Sequence, residues 1–168
     1  MHPPVAPTLP FKISTLIYVQ NAAGDLLLLE RRKSPNAGLW SPIGGKLEMG
    51  LGESPFEAAR RETAEEIGLT LADADLHLFA MVAEKNYEAR THWLMFLFHC
   101  KRTLAQLPPP MDEGNFAFVP LAEAEQRPIP ETDRLILWPL FRDRRHTFTA
   151  VRADCSPGQP LRVVVETV

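Results

Sequence analysis

The chain has 168 residues, of which 45% are hydrophobic and 23% charged, and its formal net charge at pH 7 is −3. This length suits one globular domain that buries roughly two thirds of the surface its unfolded chain exposes. The acidic balance argues against duplex nucleic acid as a partner, because duplex-binding proteins present a basic face. A single nucleotide is not excluded, since metal ions can neutralise its phosphates.

The first segment, residues 1–10, contains four prolines, and we expect a proline-rich tail followed by one domain over residues 11–168. The tail lacks a basic region and an apolar run, so no signal peptide is expected. The longest apolar run, Trp93 to Phe98, is too short to cross a bilayer, and we expect no membrane partner. Cys100 and Cys155 are the only cysteines of the sequence, which favours a reducing cytoplasm.

Two strands are predicted after the tail. Residues 12–20 are rich in β-branched and aromatic side chains, and residues 26–32 include four successive leucines, typical of a strand buried on both faces. Arg31 and Arg32 end the second strand just before a glycine-rich segment, where guanidinium groups could bind phosphate. Two exposed arginines at a strand end are equally consistent with a solubility role.

A glycine-rich loop and a helix occupy the segment from Gly44 to Leu69. Ser54 predicts the N-cap of the helix, Pro55 suits its first position, and Gly68 suits its C-terminal end. Gly44 and its neighbour lack side chains, so the backbone can approach a ligand closely there. We therefore expect the loop to present backbone atoms beside the start of an ordered helix.

Three glutamates, Glu62, Glu65 and Glu66, fall on one side of this helix, because residues three and four apart are neighbours. Carboxylates this close repel one another unless positive charge lies between them. That charge could come from Arg60, from Arg61 or from a divalent cation, and hard oxygen ligands suit Mg²⁺ or Mn²⁺. The plainer interpretation is a solvated acidic helix face.

This stretch resembles the signature sequence of the Nudix hydrolases, which is a glycine, a glutamate after a short loop, Arg-Glu, two variable residues, Glu-Glu, one residue and a glycine. The residues that match the helical half and its approach are Glu53, Arg61, Glu62, Glu65, Glu66 and Gly68. Between Gly45 and Glu53 the chain has two residues more than the family pattern, so this loop must bulge outward if Glu53 is to reach Arg61. The resemblance implies an α/β, single-domain Nudix fold, in which a mixed β-sheet is sandwiched between helices (α/β/α).

The resemblance also implies a set of roles. The implied ligands of Mg²⁺, or of Mn²⁺, are Gly44, Glu62, Glu65, Glu66 and, as a supplementary ligand from a later loop, Glu113. Glu53 and Arg61 are implied to form an ion pair that braces the loop against the helix. One glutamate must act as general base for water, and we predict Glu65 rather than Glu62.

The remainder of the chain predicts a long hairpin, a short strand, two helices and two final strands. The predicted ranges are 76–84 and 90–102 for the hairpin, 115–119 for the strand, 121–126 and 132–141 for the helices, and 147–153 and 161–167 for the last strands. In the second helix we expect Thr132 as the cap. The side chains expected to face the core are Leu135, Trp138, Leu140 and Phe141.

Two segments, Gly38 to Lys46 and Glu131 to Leu140, are similar to the Nudix branch that hydrolyses oxidised purine nucleoside triphosphates. In that branch an acidic residue near the place of Asp133 reads the purine edge, although Asp133 could equally help to cap the helix. Ser41 and Lys46 are the further candidate substrate contacts, and Ser41 stands where the branch often has an asparagine.

The leading functional prediction is Mg²⁺-dependent hydrolysis of a purine nucleoside triphosphate, oxidised or not, to the monophosphate and pyrophosphate. Within the same class, ADP-ribose, a dinucleotide or another capped diphosphate remains an alternative substrate. A module that binds a nucleotide as a sensor without cleaving it is the alternative outside enzymology. We expect a monomer or a homodimer.

Overall fold

The computed structural model describes residues 8–34 and 36–167, so most of the predicted tail, Pro35 and Val168 lie outside the described residues. The described strands are β1 Phe11–Gln20, β2 Leu26–Arg31, β3 Trp40–Ser41, β4 Ile43–Lys46, β5 Leu76–Tyr87, β6 Thr91–Thr103, β7 Gly114–Val119, β8 Thr149–Asp154 and β9 Arg162–Val165. The described α-helices are α1 Pro55–Ile67, α2 Leu121–Ala124 and α3 Trp138–Arg144. None of these helices is long and apolar enough to cross a membrane.

The described strands join in one mixed sheet. Its order is β3-β2-β1-β6-β5-β8-β9, with β4 also paired to β1 and β7 to β2. The β1–β6 and β5–β8 pairs are parallel, while the other pairs are antiparallel. The long β5–β6 hairpin supplies the middle of the sheet. β5 runs three residues further into the turn than the sequence predicted, and β6 begins one residue later than predicted.

The sheet separates two apolar clusters, as the α/β/α prediction requires. Successive residues of a strand point to opposite faces, so Ile17 of β1 packs in the cluster beneath α1 while Tyr18 packs in the cluster beneath α3. On the α1 side Phe56 contacts Phe98 edge to face, with ring centroids 4.9 Å apart. On the α3 side Phe141 stacks on Tyr18 at 4.5 Å. The predicted fold class is confirmed.

Local sequence signals place α1 as predicted. The Ser54 side chain accepts a hydrogen bond from the Glu57 backbone N–H, and the Glu57 carboxylate accepts one from the Ser54 N–H, which is a complete capping box. Gly68 ends the helix with a φ of 68°, the left-handed conformation that glycine adopts at least cost. The helix therefore has fixed ends and holds its glutamates at a defined height beside the sheet.

The predicted glycine loop is partly strand. Ile43–Lys46 forms β4 and pairs antiparallel with β1, so that Gly44 lies opposite Leu16. A Cβ at Gly44 would overlap the backbone of Thr15, so only glycine allows β4 to approach β1 this closely. The backbone that carries the Gly44 carbonyl is thus fixed by the sheet rather than by a free loop.

The second predicted helix differs in its first half. Asp133–Leu137 forms a π-helical turn that continues as α3 to Arg144. Thr132 as a cap is wrong, because its φ of −63° and ψ of −37° are already helical and its side chain makes no capping bond. Leu135 as a core residue is also wrong, since it is 50% exposed. Leu135 lies inside the π turn, whose wider winding departs from the α-helical periodicity on which the prediction rested.

Candidate active site

A cleft of about 570 Å³ crosses one face of the sheet between the glycine segment and the π turn before α3. Two groups of acidic side chains line it. Glu62 and Glu66 of α1 lie with Glu113 at the end of the cleft near β4. At the other end, Glu84 lies on β5, which is separated from β4 by β1 and β6, and Asp133 lies in the π turn. The cleft therefore offers two chemically distinct regions to a single ligand.

Glu62 lies directly against the β4 backbone. A Cβ at Gly45 would overlap the Glu62 carboxylate, so the absence of a side chain at Gly45 makes room for it. Burial raises the pKa of Glu62, while a 2.8 Å hydrogen bond from Arg61 Nη1 opposes that shift. The Glu62 carboxylate is consequently held inside the cleft, with Arg61 as its charged neighbour.

Glu66 lies deeper and has less compensation. Burial and, to a smaller extent, the nearby charges of Glu62 and Glu113 raise the pKa of Glu66 to about 8, against weaker opposing effects of the Gly44 backbone and Arg31. Its buried Oε2 has no hydrogen-bond partner among the described residues. An uncompensated buried carboxylate beside two others is a costly arrangement, and a divalent cation with oxygen ligands would relieve it.

The carboxylates are not already arranged as a finished metal cage. Within residues 8–34 and 36–167, no three acidic, histidine or cysteine side chains converge at metal-binding geometry. The hydrogen bond from Arg61 holds the Glu62 carboxylate toward the arginine. The oxygen donors and the excess negative charge of Glu62, Glu66 and Glu113 suit Mg²⁺.

Glu53 and Arg61 form the ion pair that the resemblance implies. Arg61 donates to the Glu53 carboxylate from Nε at 2.7 Å and from Nη2 at 3.0 Å, and Nη2 also donates to the Lys46 carbonyl at 3.1 Å. The loop accommodates its two additional residues in a single 3₁₀ turn over Met49–Leu51, where the side chains of Met49 and Leu51 are exposed. The loop therefore bulges outward, and Gly44 keeps its place in β4.

Three predicted site residues do not line the cleft, and one of them is Glu53, described above. Glu65 has a side chain 59% exposed and reaches the site only through Arg61 Nη1, at 3.2 Å. Arg32 hydrogen-bonds through its guanidinium to the Asn115 side chain, away from the lining. The structure therefore does not bring Arg32 together with the other predicted residues.

The other predicted substrate contacts do line the cleft, and they are Arg31, Ser41, Lys46 and Asp133. Burial raises the pKa of Asp133 to about 7. Glu84 was not predicted as a site residue, although a glutamate within an otherwise apolar strand was a usable signal. Trp93, next to it on the neighbouring strand, also lines the cleft.

The sequence matches the NUDIX domain family over residues 10–138, which is most of the chain. The chain therefore belongs to the Nudix family of pyrophosphohydrolases. A shorter match, 45% identical over 58 residues, joins 33% of this chain to 16% of an octanoyltransferase from Myxococcus xanthus, so it spans only a small part of that curated relative.

Solved structures show the same fold at low sequence identity. A MutT protein from Bacillus halodurans is 21% identical with a TM-score of 0.72, covering 92% of this chain and 97% of its own. A MutT protein from Methanosarcina mazei is 23% identical with a TM-score of 0.68, covering 82% and 98%. The NUDIX domain of Shewanella oneidensis NrtR, solved in complex with ADP ribose, is 19% identical with a TM-score of 0.62, covering 85% and 92%.

Proposed function

We propose that this Nudix protein is a Mg²⁺-dependent hydrolase that converts a purine nucleoside triphosphate, oxidised or not, into the monophosphate and pyrophosphate. The observation that carries the proposal is the buried, unpaired oxygen of Glu66 beside Glu62 and Glu113. A buried carboxylate without a hydrogen-bond partner, beside two further glutamates, suits a metal-bound polyphosphate better than it suits a purely structural role.

The residues of the cleft support an in-line displacement by water. Glu62, Glu66, Glu113 and the Gly44 carbonyl would hold Mg²⁺ or Mn²⁺. The bound ion would neutralise phosphate oxygens and activate the water nucleophile. The water oxygen bonds to phosphorus, the bond to the pyrophosphate leaving group breaks, and a glutamate takes the proton of the water. Arg31 and Lys46 line the cleft where they can bind the phosphates.

On this proposal Glu62 takes that proton. Its carboxylate lines the cleft against β4, whereas Glu65, which the sequence favoured as the base, lies outside the lining. On this proposal Glu65 contributes through Arg61, to which both glutamates are bonded. Glu53 and Arg61 fix the loop that presents Gly44.

ADP-ribose is the second candidate substrate, because a structural neighbour was solved with ADP ribose bound to its NUDIX domain. A dinucleotide or another capped diphosphate belongs to the same alternative. A non-catalytic sensor is the less favoured proposal, since the sequence keeps all the carboxylates of the signature. A cytoplasmic location, with both cysteines free, and a monomeric or homodimeric state complete the proposal.

The test is a substrate panel with a matched pair of variants. The wild type, Glu66→Gln and Glu123→Gln are assayed in Mg²⁺ for pyrophosphate and phosphate release from purine and pyrimidine triphosphates, 8-oxo-dGTP, ADP-ribose and a dinucleotide. We expect Glu66→Gln to lose at least about 100-fold in turnover, as a lost metal ligand does. Glu123 is exposed on α2, so its variant should match the wild type.

Near-normal turnover by Glu66→Gln would contradict the metal assignment. Faster cleavage of ADP-ribose than of any triphosphate would move the assignment to the second candidate. Nucleotide binding by calorimetry, with no product from any compound in Mg²⁺, would instead favour the sensor.

A further inference from the structure

Glu84 is a charged residue in a position that does not need one. It lies in the middle of the sheet on β5, is 3% exposed and lines the cleft. Its Oε1 is fully buried and has no hydrogen-bond partner among the described residues. An apolar side chain would fill the same position without leaving a polar atom unsatisfied, so the carboxyl is best explained by a ligand that the cleft receives.

The neighbours of Glu84 do not neutralise it. Strand register places Trp93 opposite Glu84 on β6 and Lys12 opposite Trp93 on β1, so the three side chains form one row on the cleft face. The Lys12 ammonium lies over the Trp93 ring, 5.4 Å from its centroid. Within the described part of the chain, no ion pair includes Glu84.

Asp133 adds a second carboxyl to the same region. It lines the cleft from the π turn. Burial, with a smaller contribution from the charge of Asp133, raises the pKa of Glu84 to about 7. Burial raises the pKa of Asp133 to about 7 as well. Two buried carboxyl groups therefore face one cavity and concentrate hydrogen-bond acceptors there.

The distance between Glu84 and the proposed metal site at Glu62 and Glu66 fits an elongated ligand. Going across the sheet from β4 to β5 crosses three inter-strand spacings, through β1 and β6. That separates the Gly44–Gly45 backbone from the Glu84 row by about 14 Å, from the usual strand spacing. A ligand with polyphosphate at one end and a ring with N–H groups at the other would reach both regions, whereas pyrophosphate alone would not.

We infer that Glu84 adds a second acceptor to the purine-edge contact that the resemblance implies for Asp133, so that the two residues accept hydrogen bonds from two adjacent N–H donors on a ring edge, as guanine presents. The inference rests on the proposed function, because it takes the ligand to be a nucleotide. Guanine carries a ring N–H beside an exocyclic amino group, and both donate to carboxylate oxygens. Cytosine and adenine place a ring acceptor beside their amino group, which a carboxylate repels.

The experiment compares Glu84→Gln with Glu88→Gln in the full chain at pH 8, above the pKa values of both buried carboxyls. Glu88 is exposed in the turn that follows β5, so its variant removes one charge from the same hairpin without touching the cleft. Calorimetry measures the binding of GMP and CMP, and steady-state kinetics measures kcat and KM for dGTP and dCTP in Mg²⁺. A Glu84→Met variant removes the acceptors while filling a similar volume, and circular dichroism verifies that each variant folds.

We expect the wild type to bind GMP more tightly than CMP. Glu84→Gln should weaken GMP binding and raise the KM for dGTP at least about tenfold, the range for a lost hydrogen bond to a charged group. The CMP and dCTP constants should change less than about threefold, and Glu88→Gln should leave all constants unchanged. Glu84→Met should lose the preference for guanine without losing the fold.

Equal binding of GMP and CMP by the wild type would overturn the inference, as would equal changes for both bases in Glu84→Gln, which indicate a structural role alone. The proposed function is judged separately. A wild type that binds GMP through Glu84 but hydrolyses no triphosphate would keep the subsite and overturn the catalytic proposal.

Discussion

Glu62 and Glu65 lie on successive turns of α1, and both accept hydrogen bonds from Arg61 Nη1, at 2.8 and 3.2 Å. Their environments differ sharply. The side chain of Glu62 is 13% exposed and lines the cleft, while that of Glu65 is mostly in solvent outside it. A residue that holds metal or takes a proton must reach the substrate, so position alone separates the two glutamates.

We therefore predict that Glu62→Gln lowers kcat by at least about 100-fold. The loss for Glu65→Gln should be at least about tenfold smaller, because Glu65 acts only through Arg61 whereas Glu62 acts directly in the cleft. Single-turnover kinetics at saturating Mg²⁺ measures the chemical step for both variants. A larger loss for Glu65→Gln would restore the base assignment that the sequence favoured.

At the residue scale, linear spacing predicted the residues whose roles depend on one helix. Glu53, Arg61, Glu62 and Glu66 follow from positions in a single motif, and the ion pair of the first two is present. Glu84 was not predicted, because it becomes a candidate site residue only through the cleft that β5 shares with the distant π turn. The exposed direction of Glu65 also escaped prediction, since helical spacing places a residue on a side of the helix but does not say where the cleft ends.

Among the elements, the loop from Glu48 to Glu53 is held by one carboxylate. Glu53 accepts two hydrogen bonds from Arg61 and one from the Glu48 backbone N–H at 2.8 Å. The hydrogen bonds from Arg61 are the main reason that the pKa of Glu53 lies below its usual 4.5. A lowered carboxyl pKa stabilises the folded state above the unfolded-state pKa, and the gain is lost as pH falls through the folded-state value.

We predict that Glu53→Gln lowers the free energy of unfolding at pH 7 by about 1.5–3 kcal/mol, the range for hydrogen bonds to a charged group. Urea denaturation measures this difference, which should begin to shrink below about pH 4.5, where the carboxyl of the unfolded chain takes up its proton, and should disappear as pH falls through the lower folded-state pKa. Leu51→Ser is the matched control from the same loop. Leu51 is 81% exposed, so its replacement should change stability by less than about 0.5 kcal/mol. An equal loss in both variants would contradict the bracing role of Glu53.

Elements whose signals are local were predicted well, and those with distant partners were not. The ends of α1 matched because Ser54, Glu57 and Gly68 act within one helix. β4 was read as loop, because two glycines have poor strand propensity and its pairing with β1 cannot be seen locally. The π turn was read as ordinary helix, because residue preferences do not distinguish the two forms within one turn.

For the whole molecule, alternating strands and helices indicated three layers, but they did not reveal the order of the strands. The parallel β1–β6 pair joins Phe11 to His92, and only long-range packing specifies such a pairing. That pairing sets the two acidic regions of the cleft apart. It also leaves Glu62, Glu66 and Glu113 together at one end of the cleft, where their mutual repulsion opposes folding.

Metal binding should therefore stabilise the entire domain. A ligand that binds only the folded state at 100 times its dissociation constant adds about 2.7 kcal/mol, which corresponds to about 5–10 °C in Tm for a chain of this size. We predict a rise of that order when wild-type protein in EDTA is moved to saturating Mg²⁺, measured by differential scanning calorimetry. Glu123→Gln should show the same rise.

The Glu66→Gln variant should reverse the order of stability. In EDTA it should unfold at a Tm equal to or above that of the wild type, because the substitution removes one of three mutually repelling carboxylates. In Mg²⁺ it should gain much less than the wild type, because a ligand of the cation is gone, so that the wild type becomes the more stable protein. A wild-type Tm that does not respond to Mg²⁺ or Mn²⁺, or a Glu66→Gln variant that gains as much as the wild type, would mean that these carboxylates do not hold the metal.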